Sequence, residues 1–205
     1  MLVESMDVAV DGPHGAVLAP TSAQFESGSV TIVDGPPGTG HTAFSLAVAG
    51  RLIPSSGRVL VDGEQDAGRL RREVAVVDVP DVSEPDEAVS LATAIGEELA
   101  MARMPAGRSH VRDWLTDHGA EQWRRTRVED VPPDVRIRLL TLLAARRPGV
   151  RALVLCCPDR YGASPEAALS VARLLAADGF AVCLQLMTNT LRAVDVPRAT
   201  LGRTR

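Results

Sequence analysis

Gly35-Pro36-Pro37-Gly38-Thr39-Gly40-His41-Thr42 is the stretch on which the reading of this chain turns. It follows Val30 to Asp34, a short run rich in β-branched residues, and leads into Ala43 to Leu52, whose apolar residues recur at helical spacing. A G-x-x-x-x-G-K-[ST] loop between a strand and a helix turns successive backbone N–H groups inward to hold phosphate oxygens, at the positive end of the helix dipole. Its last hydroxyl serves Mg²⁺. The match holds at every fixed position except one, where His41 stands in place of lysine. The candidate phosphate-binding residues are Gly35, Pro36, Pro37, Gly38, Thr39, Gly40, His41, Thr42 and Ala43, with Thr42 as the candidate Mg²⁺ ligand. The plain alternative is a turn-rich connection that binds nothing.

Upstream of the loop, Met6 to Val10 and Ala16 to Ala19 read as strands separated by turn formers. Downstream, Pro54-Ser55-Ser56-Gly57 stops the first helix, Arg58 to Asp62 alternates as a strand, and Glu73 to Val79 is a second β-branched run. Then the pattern changes. Ala88 to Met104 and Val111 to Arg125 read as amphipathic helices, and Pro132-Pro133 opens a third that runs to about Arg146. Ala152 to Cys156 and Phe180 to Leu186 are continuous apolar runs, as buried parallel strands are, with a helix from Ser164 to Ala177 between them. The Arg- and Thr-rich tail, Asp195 to Arg205, reads as frayed. This order predicts an open α/β sheet in a single domain over residues 1–205, with a β-rich start and a helical insert at about 84–147.

Composition sets the outer bounds. The chain has 205 residues, 45% of them hydrophobic, enough for one α/β domain with a real core. Neither a membrane-spanning run nor a secretion signal is visible, so a cytosolic chain is expected. A net charge of -4 argues against nucleic acid as a partner. All 22 basic residues are arginine, which removes every lysine-based mechanism. Three cysteines, two of them neighbours, make no disulfide framework.

With its flanks, the loop resembles the ATP-binding cassette ATPases of ABC transporters. The resemblance rests on Val30 through Thr42, on Leu46-Ala-Val-Ala-Gly50, and on Pro54-Ser-Ser-Gly-Arg-Val-Leu-Val-Asp-Gly63; the last stretch is particular to that family among phosphate-loop proteins. It implies a P-loop NTPase fold of the cassette type, extending from about Met6 to Leu191. Nearly all the family's other landmarks are replaced. The glutamine loop falls after Pro80, where Asp81 stands. The signature motif corresponds to Val131-Pro132-Pro133-Asp134-Val135, where Pro132 and Pro133 lack its N–H donors and Asp134 repels the anion. Walker B becomes Leu153-Val-Leu-Cys156-Cys157-Pro158, so Cys156 replaces the Mg²⁺-binding Asp and Cys157 the catalytic Glu. Asn189 is the nearest candidate for the switch histidine, and only His14 lies near the position of the adenine-stacking aromatic.

These replacements strike at catalysis. Hydrolysis in this fold is positioning plus electrostatics. His41 is not a permanent cation, and a thiol is a poor match for Mg²⁺, which prefers oxygen. Each loss costs a few kcal/mol of transition-state stabilisation. The resemblance therefore implies a degenerate cassette subunit with no catalytic residues. ATP with Mg²⁺ is held weakly or not at all, and hydrolysis is poor or absent. It also implies a permease-like membrane partner, peripheral placement on the inner face of the cell membrane, and pairing with itself or another cassette. The alternatives are an active transporter ATPase and a free-standing regulatory nucleotide-binding protein. Cys156 and Cys157, with His41, read either as soft-metal ligands or as small buried hydrophobes. Trp114 and Trp123 read as insert core or as partner contacts, and the pairs Arg71-Arg72, Arg124-Arg125 and Arg146-Arg147 as solvated faces.

Overall fold

Two kinds of strand sequence build two sheets. In the computed structural model, which describes residues 1–187 and 195–202, β1 (Leu2–Gly12) and β2 (Gly15–Glu26) form a hairpin across Pro13-His14. Both are longer than the sequence predicts, because alternation is interrupted by register shifts between Ser5 and Asp11. Pro20, which cannot donate to a ladder, falls in that irregular stretch. β4 (Ser56–Val61) pairs with the other edge of β1, giving a three-stranded antiparallel sheet in the order β2-β1-β4.

The second sheet is parallel. β5 (Val74–Val77), β6 (Ala152–Leu155), β7 (Ala181–Leu186), β3 (Val30–Asp34) and β8 (Arg198–Thr200) lie side by side in that order. Every residue of β3, β5, β6 and β7 is buried, as continuous apolar runs require when both faces are covered. Val33, Val76, Val154 and Cys183 pack with α1 (His41–Val48) and with Val3, Val8 and Phe25 of the antiparallel sheet. Ile32, Val77, Leu153, Leu155 and Leu184 face α5 (Pro133–Ala144) and α6 (Pro165–Ala177) instead.

The insert has its own core. Leu91, Ile95 and Leu99 of α3 (Leu91–Met101) meet Val111 and Leu115 of α4 (Arg108–Asp117) and Leu139 and Leu143 of α5. α5 is shared, since Ile137, Leu140 and Ala144 pack on the sheet side. Arg147, just past α5, bonds Glu98 of α3 at 2.7 Å, so this member of an arginine pair is not simply solvated. Trp114 and Trp123 are half-buried against the insert's core, and Trp114 stacks on His118 with centroids 3.9 Å apart.

Several boundaries differ from expectation for identifiable reasons. A short helix, α2 (Ala67–Glu73), lies where none was expected; Asp66 caps it by accepting the Arg69 amide at 2.8 Å. β5 ends at Val77 because Asp78 adopts a left-handed backbone, φ 56°. The second insert helix stops at Asp117, and 3-10 turns cover Glu121–Trp123 and Val128–Asp130. Part of the tail is not frayed. Asp34 accepts hydrogen bonds from Arg198 at 2.7 Å and Thr200 at 2.8 Å, which docks β8 beside β3 and buries Leu201.

Candidate functional site

The loop between β3 and α1 passes beneath β2. Gly40 has φ 102°, and a Cβ there would lie 2.6 Å from the Val17 carbonyl oxygen, so only glycine allows this approach. Thr39 closes the loop by donating its hydroxyl to the Pro36 carbonyl at 2.7 Å. Gly40 caps α1 without a side-chain hydrogen bond. The first amides of α1, those of His41, Thr42 and Ala43, have no intrahelical partner and concentrate positive potential at this end.

A cavity of about 480 Å³ opens here, lined by Val17, Gly38, Gly40, His41, Thr42, Ala43, Cys156, Cys157, Arg160 and Met187. It joins the glycine loop to the residues that follow β6. Gly35, Pro36, Pro37 and Thr39 frame the loop and do not line the cavity.

His41 does not reach outward as a lysine would. Its ring is buried, with Nε2 3.0 Å from the Gly35 carbonyl oxygen and Nδ1 3.2 Å from Oε1 of Gln185. The Gly35 carbonyl can only accept, so Nε2 carries the proton of that bond. Gln185 in turn bonds the Ser45 hydroxyl at 2.8 Å. This wholly buried amide, hidden in a run that reads as apolar, fastens β7 to α1; one glutamine in such a strand was its sequence signal.

Cys156 and Cys157 form the floor, 1% and 2% exposed. The Cys157 thiol is pushed up, first by its hydrogen bond to Cys156 and then by burial. Cys156 is held below the usual thiol range by the same bond, against burial, with Ser45 and Arg160 assisting. Burial pushes up Cys183, which lies deeper in the sheet.

No family model matches the chain. Over 80 residues it is 38% identical to PhnT of Salmonella typhimurium, named as a candidate 2-aminoethylphosphonate import ATP-binding protein; the match covers 38% of this chain and 21% of that protein. Among solved structures, a candidate ABC transporter ATP-binding protein from Pyrococcus furiosus superposes with a TM-score of 0.70 at 16% identity, covering 100% of this chain and 99% of the other. The ATP-binding subunit of an ABC transporter gives 0.69 at 18% identity, with 100% and 88% covered. CbiO1 of Clostridium perfringens, part of the ABC transporter complex cbiONQ, gives 0.67 at 18% identity, with 99% and 86% covered.

The chain has the ATP-binding cassette fold.

Within that cassette fold, the residues present fit a phosphate group better than a hard metal. The cradle has open amides, two lining glycines and the Thr42 hydroxyl. Among the described residues no carboxylate lines the cavity, and no group of three or more His, Cys, Asp or Glu side chains is placed to hold a metal ion. Thr42 with two soft thiols does not make a Mg²⁺ site. Among the described residues no Phe, Tyr or Trp ring lines the cavity, and His14, exposed on the β1–β2 turn, is not part of its lining.

The permanent cation comes from a residue that sequence reasoning missed. Arg160 lies on the 3-10 turn Pro158–Tyr161 after β6, bonding the Asp78 carbonyl at 3.2 Å and facing Glu84 at 3.5 Å. Its guanidinium sits 4.3 Å from the Tyr161 ring centroid, and that of Arg136 sits 4.2 Å from it. Arg136 also pairs with the buried Asp78 at 2.6 Å, and the Tyr161 hydroxyl donates to Glu84. Burial pushes the Asp78 carboxyl up, against the pull of Arg136. For Glu84, burial is outweighed by the Tyr161 hydroxyl, the Asp81 amide and Arg160, so its carboxyl sits low.

Asp81, Pro132, Pro133 and Asp134 do not line the cavity. Pro132 caps α5 and Pro133 begins it, while Asp134 accepts the Ser164 amide at 2.7 Å and so ties α5 to the start of α6. Asp81 is exposed, with its amide donating to Glu84. Asn189 lies outside the described residues.

Proposed function

We propose that this chain is a degenerate ATP-binding-cassette subunit, one that holds a nucleotide phosphate weakly, hydrolyses it poorly or not at all, and serves a membrane complex structurally or as a regulator. One observation carries the reading. The cavity beneath the glycine loop has Cys156 and Cys157 on its floor and an inward-turned His41, where hydrolysis needs carboxylates, a metal and an outward cation. Phosphate oxygens would rest on the amides at the start of α1, with Arg160 supplying charge at the rim. Bound there, ATP would present an ordinary phosphoanhydride, and these residues would orient it without activating water.

The partner follows by analogy. PhnT is named for import, and cbiO1 for a place in a transporter complex. We infer a permease-like membrane partner, contacted through the helical insert, with the chain peripheral on the inner face of the cell membrane and pairing with itself or another cassette. Among the described residues no helix is long and apolar enough to cross a membrane. The test is purification from native membranes: a polytopic membrane protein co-purifying with the chain supports the reading. Recovery free of any membrane protein favours a free-standing regulator.

A further inference from the structure

Neighbouring side chains on a strand leave opposite faces. Through β6 the alternation holds: Leu153 and Leu155 pack on the α5–α6 side, Ala152, Val154 and Cys156 on the α1 side. Cys157 should return to the first side. It does not, because its backbone adopts φ 48° and ψ 60°, and its side chain joins Cys156 in the same cluster and the same cavity lining. A left-handed backbone is unfavourable for a non-glycine residue. Two adjacent thiols thereby face one cavity.

We propose that Cys156 and Cys157, turned together into this cavity, form a dithiol site for a soft, thiophilic centre of the trivalent arsenical type. The ligand set selects that chemistry. A closed zinc site needs four protein ligands, and no group of three candidate ligands exists among the described residues. His41 supplies no third donor, because both ring nitrogens face protein partners. Thiolates favour soft centres over hard ones.

A direct disulfide is disfavoured by length. Consecutive Cα atoms are about 3.8 Å apart, whereas disulfides span about 4.4–6.8 Å. One larger atom bonded to both sulfurs closes the ring without that compression. Val17, Ala43 and Met187 give the roughly 480 Å³ cavity apolar walls that suit an organic substituent on the bridging atom. The site stands on the two thiols alone and does not depend on nucleotide binding.

Phenylarsine oxide is the probe. Two S–H protons leave with the arsenic-bound oxygen as water, two As–S bonds form, and arsenic stays trivalent, so nothing is oxidised or reduced. The folded full chain is treated with the reagent in excess glutathione, and its intact mass is measured. The expected result is one adduct per chain, equal to the reagent less one water, which survives glutathione and is removed by dimercaptopropanol. Cys183→Ser should keep the adduct; Cys156→Ser and Cys157→Ser should each lose it, with circular dichroism confirming the fold. Peptide mapping of the wild-type adduct decides the matter even if a serine variant fails to fold, and arsenic must sit on the peptide carrying both cysteines. No glutathione-resistant adduct, one that survives in Cys157→Ser, or one mapped to Cys183 overturns the proposal.

Discussion

Nε2 of His41 donates to the carbonyl of Gly35, six residues earlier, across 3.0 Å, so the residue in the lysine position closes the loop from beneath. The ring also meets Gln185, and through it β7 is tied to the start of α1. A position that reads as a crippled phosphate ligand is therefore also a structural tie.

Replacing His41 by lysine should separate these two roles. The variant loses the Gly35 and Gln185 contacts, at about 1 kcal/mol of stability each, and gains a permanent charge at the cradle. ATP affinity measured by calorimetry should rise by about tenfold, or about 1.4 kcal/mol, while the melting temperature falls. Unchanged or weaker binding would mean that the loop is not shaped for phosphate.

Arg160 is the cation that the sequence did not flag. Arg160→Ala should weaken binding of ATP or inorganic pyrophosphate by about tenfold or more, the scale of one charge-assisted contact. Arg160→Lys should recover part of it, since a charge remains but the planar fork is lost. Equal affinity in wild type and Arg160→Ala would remove Arg160 from the site.

Much of the architecture was legible from residues. Ala152 to Cys156 and Phe180 to Leu186 read as buried strands because parallel strands are apolar on both faces, and Val30 to Asp34 with the glycine loop announced the strand and turn into α1. What the sequence hid depends on pairings distant along the chain. Asp34 with Arg198 and Thr200 makes β8 from a tail that looks frayed. Gln185 passes for a flaw in an apolar run until His41 and Ser45 are seen around it. Arg160 belongs to no motif, and its place at the cavity depends on the turn that Cys157 makes after β6.

Asp78 offers a test of electrostatic sign. Burial raises its carboxyl above the ordinary 3.8, with Arg136 opposing. An acid whose folded value lies above its unfolded one binds protons more tightly when native, so stability falls as pH rises through that interval. Urea unfolding from about pH 4 to about pH 7 should show wild type losing stability relative to Asp78→Asn. A relative gain would mean that the Arg136 ion pair outweighs burial.

The insert's role can be probed without touching its core. Trp114 and Trp123 are half-buried against that core, so alanine there would confound docking with packing. Met101, at the end of α3, is 50% exposed. Met101→Glu should leave stability within about 0.5 kcal/mol and reduce recovery of the chain with membranes. Undiminished recovery would place the contact elsewhere.

The most direct measurement is Mg²⁺-dependent ATP turnover by the purified chain, alone and with any membrane protein that co-purifies with it, run beside Thr42→Ala. With Cys156 and Cys157 beneath the loop and His41 turned inward, the expected rate is at background in every case. Turnover on the order of 1 s⁻¹ that is abolished by Thr42→Ala would contradict the account.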